Sequence, residues 1–578
     1  MIALAELNTA SAEAFVAALA GIFEHSPWVA EAVLPLRPFG SRLQLHDAMC
    51  AAVDAAGIDA QLKLIRAHPE LAGRAAVRKE LTAESTREQQ GAGLDACTPG
   101  EFATLQTLND AYNSKFGFPF VLAVRGHNRS SVIAAFMQRL DHDLDTERRT
   151  ALQQIDRIAG FRLYDSVSSA AGSEILAMLD RLAEYSEQAD GLTCSYLSPA
   201  HRQTAALIRD WMLAAGLSVE IDAVGNVVGR LYSEQPDAKT LLTGSHYDTV
   251  VDGGKYDGRL GIVLAILVAL DLRQRGLKLP YALEIIAFSE EEGVRYKSTF
   301  LGSGAVVGQF DPALLDAVDG NGITMRAAML EAGFDPEQIP AIARDPASLL
   351  GYVEVHIEQG PVLLDEDQPL GVVTSIAGSH RYTGSITGLA GHSGTVPMHL
   401  RHDAAAAAAE LILYVERRCG GVPGLVGTVG KLEVPGGAIN VIPGRCSFSL
   451  DIRAADDLLR DAAVVDVLAE IDAIAERRKV DIVLTQVLAA ACAPCATRLQ
   501  AQWAASIRRV TGNPAPRHLP SGAGHDAMKM AAITDIGMLF VRCGNGGISH
   551  NPAETMSADD ADVAARVFTD FLLSYPAT

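Results

Sequence analysis

Histidine and carboxylate side chains recur beside apolar segments in the C-terminal two thirds of the chain. Residues 244–258 place His246, Asp248 and Asp257 on a glycine-rich turn that directly follows an apolar stretch. Imidazole and carboxylate groups held together on a rigid turn are the ligands that a hydrolytic metal centre requires. The sequence therefore predicts metal-dependent hydrolytic chemistry in this part of the chain.

Three further motifs add similar groups in a fixed order. An acidic run at residues 290–292 ends an apolar segment, His356 stands in Val-His-Ile-Glu-Gln-Gly, and His550 stands in Ser-His-Asn-Pro-Ala-Glu. A single histidine or aspartate in a glycine-rich turn is usually a capping or turn residue. The ordered set favours metal chemistry, whereas Asp252 is interpreted as a turn residue and Glu290 as a solvated or structural carboxylate.

Length, charge and cysteine usage narrow the function classes. A chain of 578 residues is too long for one core, so roughly two to four domains are expected. The net charge of −22 argues against nucleic acid or an anionic membrane as the main partner, but not against a small anionic substrate. Scattered cysteines and an N-terminus that lacks the pattern of a secretory signal predict a cytoplasmic protein.

The chain divides into two units that differ in the spacing of their apolar residues. Apolar residues at helical spacing predict an all-α unit over residues 1–165. Residues 166–173 are small and polar, which is typical of a linker. Strands that then alternate with helices predict an α/β domain over residues 174–378 and 495–578, interrupted by an inserted α+β domain at residues 379–494.

On these motifs, residues from about 174 to 578 resemble the amidohydrolase branch of the M20 metallopeptidase family, which includes allantoate amidohydrolases and N-carbamoyl amino acid hydrolases. Gly-His-Ser-Gly-Thr-x-Pro-Met and Asn-Val-Ile-Pro-Gly also carry the resemblance. It implies two divalent ions, manganese or zinc, in an α/β di-metal hydrolase domain with an inserted lid or dimerisation domain. The ions would be bridged by Asp257 and held by His246, Glu292, His356 and His550.

The same resemblance implies roles for residues around the ions. Glu291 would take a proton from an activated water and pass it to the leaving nitrogen. Asp248 would orient His246. In the inserted domain, His392 would help to stabilise the oxyanion across a homodimer, and a purely structural histidine is the alternative.

Substrate contacts are implied in the same way. Arg453 would bind a carboxylate through two parallel hydrogen bonds, a geometry that lysine cannot reproduce. Gln359 and Asn440 would hydrogen-bond ureido or carboxylate groups. His525 is interpreted as a residue near the site whose role is open.

Separate motifs characterise the N-terminal unit. Ser85, Glu88 and Gln89 are spaced to share one helix face, where a hydroxyl, a carboxylate and an amide could contact a ring with carbonyl and N–H edges. A proline after His68 disfavours helix at that histidine, which could move protons, and Arg162 could hold an anionic group. The structural alternative is a capping box at the first group and a surface ion pair at Arg162.

With these motifs and Lys-Phe-Gly-Phe-Pro-Phe at residues 115–120, the helical unit resembles the 2-oxo-4-hydroxy-4-carboxy-5-ureidoimidazoline (OHCU) decarboxylases. The resemblance implies His68 and Glu88 as catalytic residues. Ser85, Gln89 and Arg162 would bind the substrate. We expect no cofactor here, because the C=N bond of the ring can accept the electrons as CO2 leaves.

The two resemblances together predict a bifunctional enzyme of urate and purine degradation. The N-terminal unit would form (S)-allantoin, and the C-terminal unit would hydrolyse allantoate, with release of ammonia and CO2, to ureidoglycine or ureidoglycolate. Because the ring-opening step is not visible in the chain, a separate allantoinase is expected as pathway partner. The alternatives are an N-carbamoyl-L-amino acid or β-ureidopropionate amidohydrolase, an exopeptidase, or a chain in which one half is an inactive scaffold.

Overall fold

The computed structural model describes residues 1–71, 82–235 and 237–577. The described part of the N-terminal unit is almost entirely helical and contains only one two-residue strand before residue 166. Its α-helices are Leu4–Thr9, Ala12–Leu19, Pro27–Val33, Arg42–Ala55, Ile58–Ala67, Ala83–Gly91, Pro99–Phe116, Arg129–Arg139 and Leu144–Ser166.

An aromatic cluster fills the centre of this helical unit and accounts for part of the Lys-Phe-Gly-Phe-Pro-Phe motif. Gly117 ends helix Pro99–Phe116 with φ of 74°, a left-handed conformation that favours glycine. The chain then places Phe118 and Phe120 beside Tyr112, with ring centroids 6.1 and 5.2 Å from that ring. These edge-on contacts are a favourable arrangement for buried aromatic side chains.

A nine-stranded mixed sheet forms the centre of the C-terminal unit. Four of its central strands run parallel to one another and carry continuous apolar runs, as expected for strands buried on both faces. In spatial order its strands are Ala493–Pro494, Leu370–Ile376, Ile536–Val541, Leu349–Ile357, Thr240–His246, Ala282–Phe288, Val227–Leu231 and Ser218–Ile221, with Arg517–Ser521 paired to Leu370–Ile376.

Helices cover this sheet, and one of them lies directly behind the first motif. Helix Arg259–Gln274 contains the apolar run at residues 261–270, which is buried throughout. Gly261 allows the close approach, since a Cβ there would lie 2.3 Å from the carbonyl oxygen of Val355. The other α-helices of this layer and its loops are Ala171–Ala183, Pro199–Ala214, Leu301–Val306, Met325–Glu331, Val362–Asp365, Thr497–Thr511, Ala527–Met530 and Ala558–Ser574.

Residues 378–490 form a second, separate sheet. Helices Ala404–Cys419 and Asp457–Arg478 pack on one face of it, around a core of their own. The opposite face carries exposed side chains such as Val426, Val483 and Val487. The strands of this region are Gly378–Thr387, Leu425–Thr428, Leu432–Glu433, Arg445–Ala454 and Asp481–Ala490, with Gly391–His392 and Val441–Ile442 as a small ladder beside them.

The junction between the two units is structured. Residues 166–173, expected as a linker, contain the last residue of helix Leu144–Ser166, strand Val167–Ser168 and the first turn of helix Ala171–Ala183. Val167–Ser168 pairs in parallel with Ile2–Ala3, and this local pairing is what the composition of the segment did not indicate. Among the described residues, each helix is too short or too polar to cross a bilayer.

Glu174 ties the two units together at this junction. Its carboxylate is fully buried and accepts hydrogen bonds from the backbone N–H of Arg42, at 2.8 Å, and from the Tyr164 hydroxyl, at 3.3 Å. The Arg42 guanidinium lies 3.7 Å from the same carboxylate and stacks on the Tyr164 ring. The buried Arg42 cation and the buried Glu174 anion thus compensate each other's charge across the junction.

Replacing Glu174 by alanine is expected to lower the free energy of unfolding by about 3–5 kcal/mol, because Arg42 would stay buried without its counter-charge. Urea denaturation, with limited proteolysis at residues 166–173, measures this. Glu184→Ala, an exposed carboxylate just after the same helix, is the matched control and should cost under about 0.5 kcal/mol. Equal effects of the two substitutions would contradict the role given to Glu174.

Candidate functional sites

The metal-ligating motifs meet at one edge of the large sheet. His246 is the last residue of strand Thr240–His246, the acidic run 290–292 follows strand Ala282–Phe288, and His356 lies near the end of Leu349–Ile357. His550 lies in the loop after a fourth parallel strand. The carboxyl ends of parallel strands share one edge, which is where open α/β sheets bind their ligands.

Asp257 lies at the centre of these groups. Its Oδ1 is 3.2 Å from His356 Nε2 and 3.7 Å from His246 Nε2, while its Oδ2 is 3.1 Å from His550 Nε2. Glu292 Oε1 lies 3.5 Å from His550 Nε2. Two sets of ligand atoms therefore share one carboxylate, and within each set the atoms lie within 4.8 Å of one another.

The donor set fits divalent cations. Imidazole nitrogens and carboxylate oxygens are the ligands that zinc and manganese accept, and the central carboxylate offers one oxygen to each set. Burial, followed by the neighbouring Glu292, raises the pKa of Glu291 well above its usual value, and burial with Asp257 nearby raises the pKa of Glu292 to about 7. So many buried carboxylates need compensating positive charge, which a bound cation would provide.

Asp248 connects two of the motifs. Its two oxygens accept hydrogen bonds from the backbone N–H groups of Glu291 and Glu292, each at 3.0 Å. Its Oδ1 also lies 3.4 Å from His246 Nδ1. The Asp248 carboxylate therefore holds the His246 ring and also the turn that carries Glu291. The sequence predicted only the contact with His246.

A cavity of about 300 Å³ lies in front of these ligands. Gln359 lines it and donates from Nε2 to Asp257 Oδ2 at 3.0 Å. Arg453 also lines it, held by Asp451 at 2.8 Å and by the carbonyl oxygen of Gly522 at 2.7 Å. Both predicted substrate residues are thus placed beside the ligands. Arg381, which the sequence did not single out, shares Asp451 with Arg453 and lines the same cavity.

His392 and Asn440 lie elsewhere in the described structure. They are neighbours on the small ladder Gly391–His392 and Val441–Ile442, where Ser393 N–H donates to the carbonyl oxygen of Asn440 at 2.9 Å. Both side chains are exposed, and neither is among the described residues that line the cavity. Within one chain, therefore, the structure does not bring this pair to the metal ligands.

Three further residues lie near the centre. Of the two interpretations given for Glu290, the structure favours a structural carboxylate over a solvated one: the side chain is 1% exposed, and burial raises its pKa well above the usual value. Glu554 was quoted only within a motif, yet its Oε1 accepts from the backbone N–H of Asp257 at 3.2 Å and its Oε2 from Ser549 beside His550. His525 packs edge-on against the His356 ring, with centroids 4.4 Å apart.

The predicted residues of the N-terminal unit also converge. Helix Ala83–Gly91 presents Ser85 and Glu88, and both hydrogen-bond to Arg162, with a bidentate contact of 2.9 and 3.0 Å to Glu88. Arg162 is 5% exposed, so the alternative of a surface ion pair is wrong. The helix is capped by the Thr82 side chain, which accepts from Ser85 N–H at 3.2 Å, so Ser85 is not the capping residue.

His68 lies in extended backbone at the end of helix Ile58–Ala67, as the following proline indicated. Its Nδ1 is 3.1 Å from the carbonyl oxygen of Leu64, which can only accept, so Nδ1 carries the proton and Nε2 keeps its lone pair. Burial lowers the pKa of His68 to about 4, and the ring is neutral near pH 7. Gln89 Nε2 donates to the carbonyl oxygen of Glu70 at 3.4 Å. Ala72, the last residue of the segment His-Pro-Glu-Leu-Ala that begins at His68, lies outside the described residues.

The fold and the clustered ligands define the C-terminal unit as an α/β unit with candidate ligands for a hydrolytic metal centre. A helical unit with a site of its own precedes it. The model of the OHCU decarboxylase family matches residues 8–164, and that of peptidase family M20/M25/M40 matches residues 242–574. The chain belongs to the M20/M25/M40 family, fused behind an OHCU decarboxylase unit. It is an enzyme that combines a decarboxylase with a hydrolase of C–N bonds.

Similar proteins agree with this family. Allantoate deiminase of Arabidopsis thaliana is 42% identical over 442 residues, which cover 71% of this chain and 84% of that protein. N-carbamoyl-L-amino acid amidohydrolase of Geobacillus stearothermophilus is 38% identical and covers 68% of this chain and 96% of its own. The crystal structure of a hydantoinase/carbamoylase family amidase from Burkholderia multivorans superposes with a TM-score of 0.65 at 30% identity, over 70% of this chain and 97% of that chain.

Asp248→Asn should weaken metal binding roughly 10- to 100-fold, because an amide cannot accept from both backbone N–H groups and also face His246. Titration of the metal-free protein with Mn²⁺ or Zn²⁺, in competition with a chelator, measures this. Asp252→Asn in the same turn is the control: Asp252 is exposed, and asparagine tolerates its φ of 54°. If both variants bound metal as the parent does, the coupling role of Asp248 would be wrong.

Proposed function

We propose that this enzyme carries out two steps of ureide metabolism. The unit over residues 1–165 decarboxylates OHCU to (S)-allantoin. The unit over residues 174–378 and 495–578, with the inserted domain 379–494, hydrolyses allantoate to ureidoglycine or ureidoglycolate, ammonia and CO2. One observation carries this proposal. The candidate metal ligands and the buried Glu291 line one cavity, in a chain whose N-terminal unit matches the decarboxylase family.

The second candidate for the hydrolase is an N-carbamoyl-L-amino acid or β-ureidopropionate amidohydrolase. The similarity to the Geobacillus enzyme favours it, and the same cavity chemistry serves both substrate classes. The decarboxylase unit in the same chain favours allantoate, because the two reactions then lie on one route, separated by hydrolytic opening of the hydantoin ring. We propose that a separate allantoinase performs that step, without direct channelling.

In the hydrolase cavity, different residues of the chain have different roles. Asp257, His246, Glu292, His356 and His550 would hold two divalent ions, whose chemistry when bound would be to lower the pKa of a water and to polarise the carbonyl under attack. Glu291 lies beside the ligands with a raised pKa, so it can hold a proton from that water and release it to the leaving nitrogen. Arg453 and Gln359 line the same cavity and bind the carboxylate and the ureido group.

A homodimer would complete this site. His392 and Asn440 are exposed on the inserted domain, beside apolar side chains that are also exposed: Leu389 at 65%, Met398 at 76% and Ile439 at 104%. Exposed apolar side chains in one region are typical of an interaction surface. We propose that a second copy covers this region and that its His392 and Asn440 reach the cavity, where the imidazole donates to the developing oxyanion.

In the decarboxylase unit, a neutral His68 moves the proton. The lone pair on Nε2 can take a proton from the substrate as the bond to CO2 breaks, while the electrons of that bond pass to the C=N bond of the ring, and Nε2 can then return the proton to the ring to give allantoin. Glu88 is catalytic, and Ser85 and Gln89 contact the ring edges from the same helix. This chemistry needs no cofactor.

Ammonia release by the metal-reconstituted full chain tests the proposal. Allantoate is compared with N-carbamoyl-β-alanine and an N-carbamoyl-L-amino acid, and clear preference for allantoate is expected. Preference for a carbamoyl amino acid would keep the hydrolase chemistry and overturn the assignment to allantoate. The decarboxylase is assayed separately by formation of (S)-allantoin from freshly generated OHCU.

Two substitutions should separate the activities. Glu291→Gln should reduce hydrolysis by about 10²- to 10⁴-fold while the metal content is unchanged, because it removes the proton acceptor and leaves the ligands. His68→Ala should abolish decarboxylation only. Each variant is the control for the other, measured by both assays and by metal analysis. Loss of both activities from either substitution in a folded protein would contradict independent sites.

A further inference from the structure

The Arg162 guanidinium uses its hydrogen-bond donors within the protein. Nε donates to Glu88 Oε1 at 2.9 Å. One terminal nitrogen donates to the carbonyl oxygen of Gly21 at 3.2 Å and to Glu24 Oε2 at 2.7 Å. The other donates to Glu88 Oε2 at 3.0 Å and to Ser85 Oγ at 3.3 Å. A guanidinium has five N–H groups, so these five contacts account for all of them.

Glu24 is the least expected of these partners. It is 3% exposed and lies between helices, before Pro27–Val33, where no pattern in the sequence marked it. Its Oε1 accepts from the Thr82 hydroxyl at 2.8 Å, and its Oε2 accepts from the Ser85 hydroxyl at 3.3 Å and from Arg162. Glu24 therefore fixes the start of the helix that carries Ser85 and Glu88, and it fixes the arginine that holds both of them.

We infer that Glu24 is a positioning residue of the decarboxylase site, and that Arg162 ties Glu24, Ser85 and Glu88 together instead of binding the carboxylate of the substrate. This inference rests on the proposed decarboxylation and revises the substrate-binding role of Arg162. A substrate carboxylate could reach the guanidinium only by displacing one or more of these five contacts. Three of them are charge-assisted contacts to carboxylates at 2.7–3.0 Å, which hold the guanidinium in its present orientation.

The charges around His68 agree with this arrangement. The negative charge of Glu24 raises the pKa of His68, whereas burial, Arg162 and His25 lower it, and burial dominates. Glu24 and Arg162 act on the ring in opposite directions, so burial decides its state and His68 stays neutral with Nε2 as acceptor. Glu24 thereby influences Ser85, Glu88 and His68 without a direct role in the reaction.

The experiment is steady-state decarboxylation by the full chain carrying Glu24→Gln, Glu24→Asp or Arg162→Lys. Glu24→Gln is expected to lower kcat by about 100-fold, the cost of a small misplacement of catalytic groups, while KM changes less than about threefold. Glu24→Asp keeps the charge and should recover part of the lost kcat. Arg162→Lys should likewise lower kcat more than it raises KM, because lysine cannot hold both carboxylates.

Glu31→Gln is the matched control, an exposed glutamate in the next helix that should leave both kinetic constants unchanged. Thermal unfolding of the same chains, followed by circular dichroism, reports whether each variant is folded. If Glu24→Gln does not fold, the kcat and KM of Glu24→Asp decide the question. Parent-like kinetics of Glu24→Gln, or a rise in KM at constant kcat for Arg162→Lys, would overturn the inference. A parent chain without decarboxylase activity would instead overturn the proposed function.

Discussion

The hydrolase unit depends on one constraint, the burial of several carboxylates at one edge of the main sheet. Asp248, Asp257 and Glu354 are almost inaccessible, and burial raises the pKa of the neighbouring Glu291. Like charges this close cannot all stay ionised without positive charge among them. Bound cations would stabilise the whole set at once, and metal binding would then contribute to the stability of the loops as well as to the chemistry.

The candidate ligands could be picked out from the sequence because most of them lie at or after the end of an apolar segment. The apolar segments before His246 and before the acidic run 290–292 lie in strands Thr240–His246 and Ala282–Phe288. The residues that hold the ligands could not be predicted in the same way. Glu554 contacts the backbone of Asp257 across 297 positions, and no local pattern reports a contact over such a distance.

Composition was a poor guide where a segment has a specific partner. Small and polar residues at 166–173 indicated a linker, but Ile2–Ala3 gives that segment a strand partner and Glu174 anchors the helix that follows. The same limit applies to Glu290, for which the sequence left a solvated and a structural role open and which the fold buries. In each case tertiary contacts decided the outcome, and periodicity alone carries no information about them.

Both units hold carboxylates close together in a buried site, but the positive charge beside those carboxylates differs between the two units. In the helical unit the positive charge at the centre is a side chain, Arg162, and its five donors are matched by groups of the protein. In the sheet unit the groups around Asp257 are histidines and further carboxylates, a set that bound cations would neutralise. The hydrogen bonds of Arg162 in the first site are therefore made within the chain. With the proposed metal ions, the second site would depend on metal supply, and one chain would then lose hydrolysis and keep decarboxylation when metal is scarce.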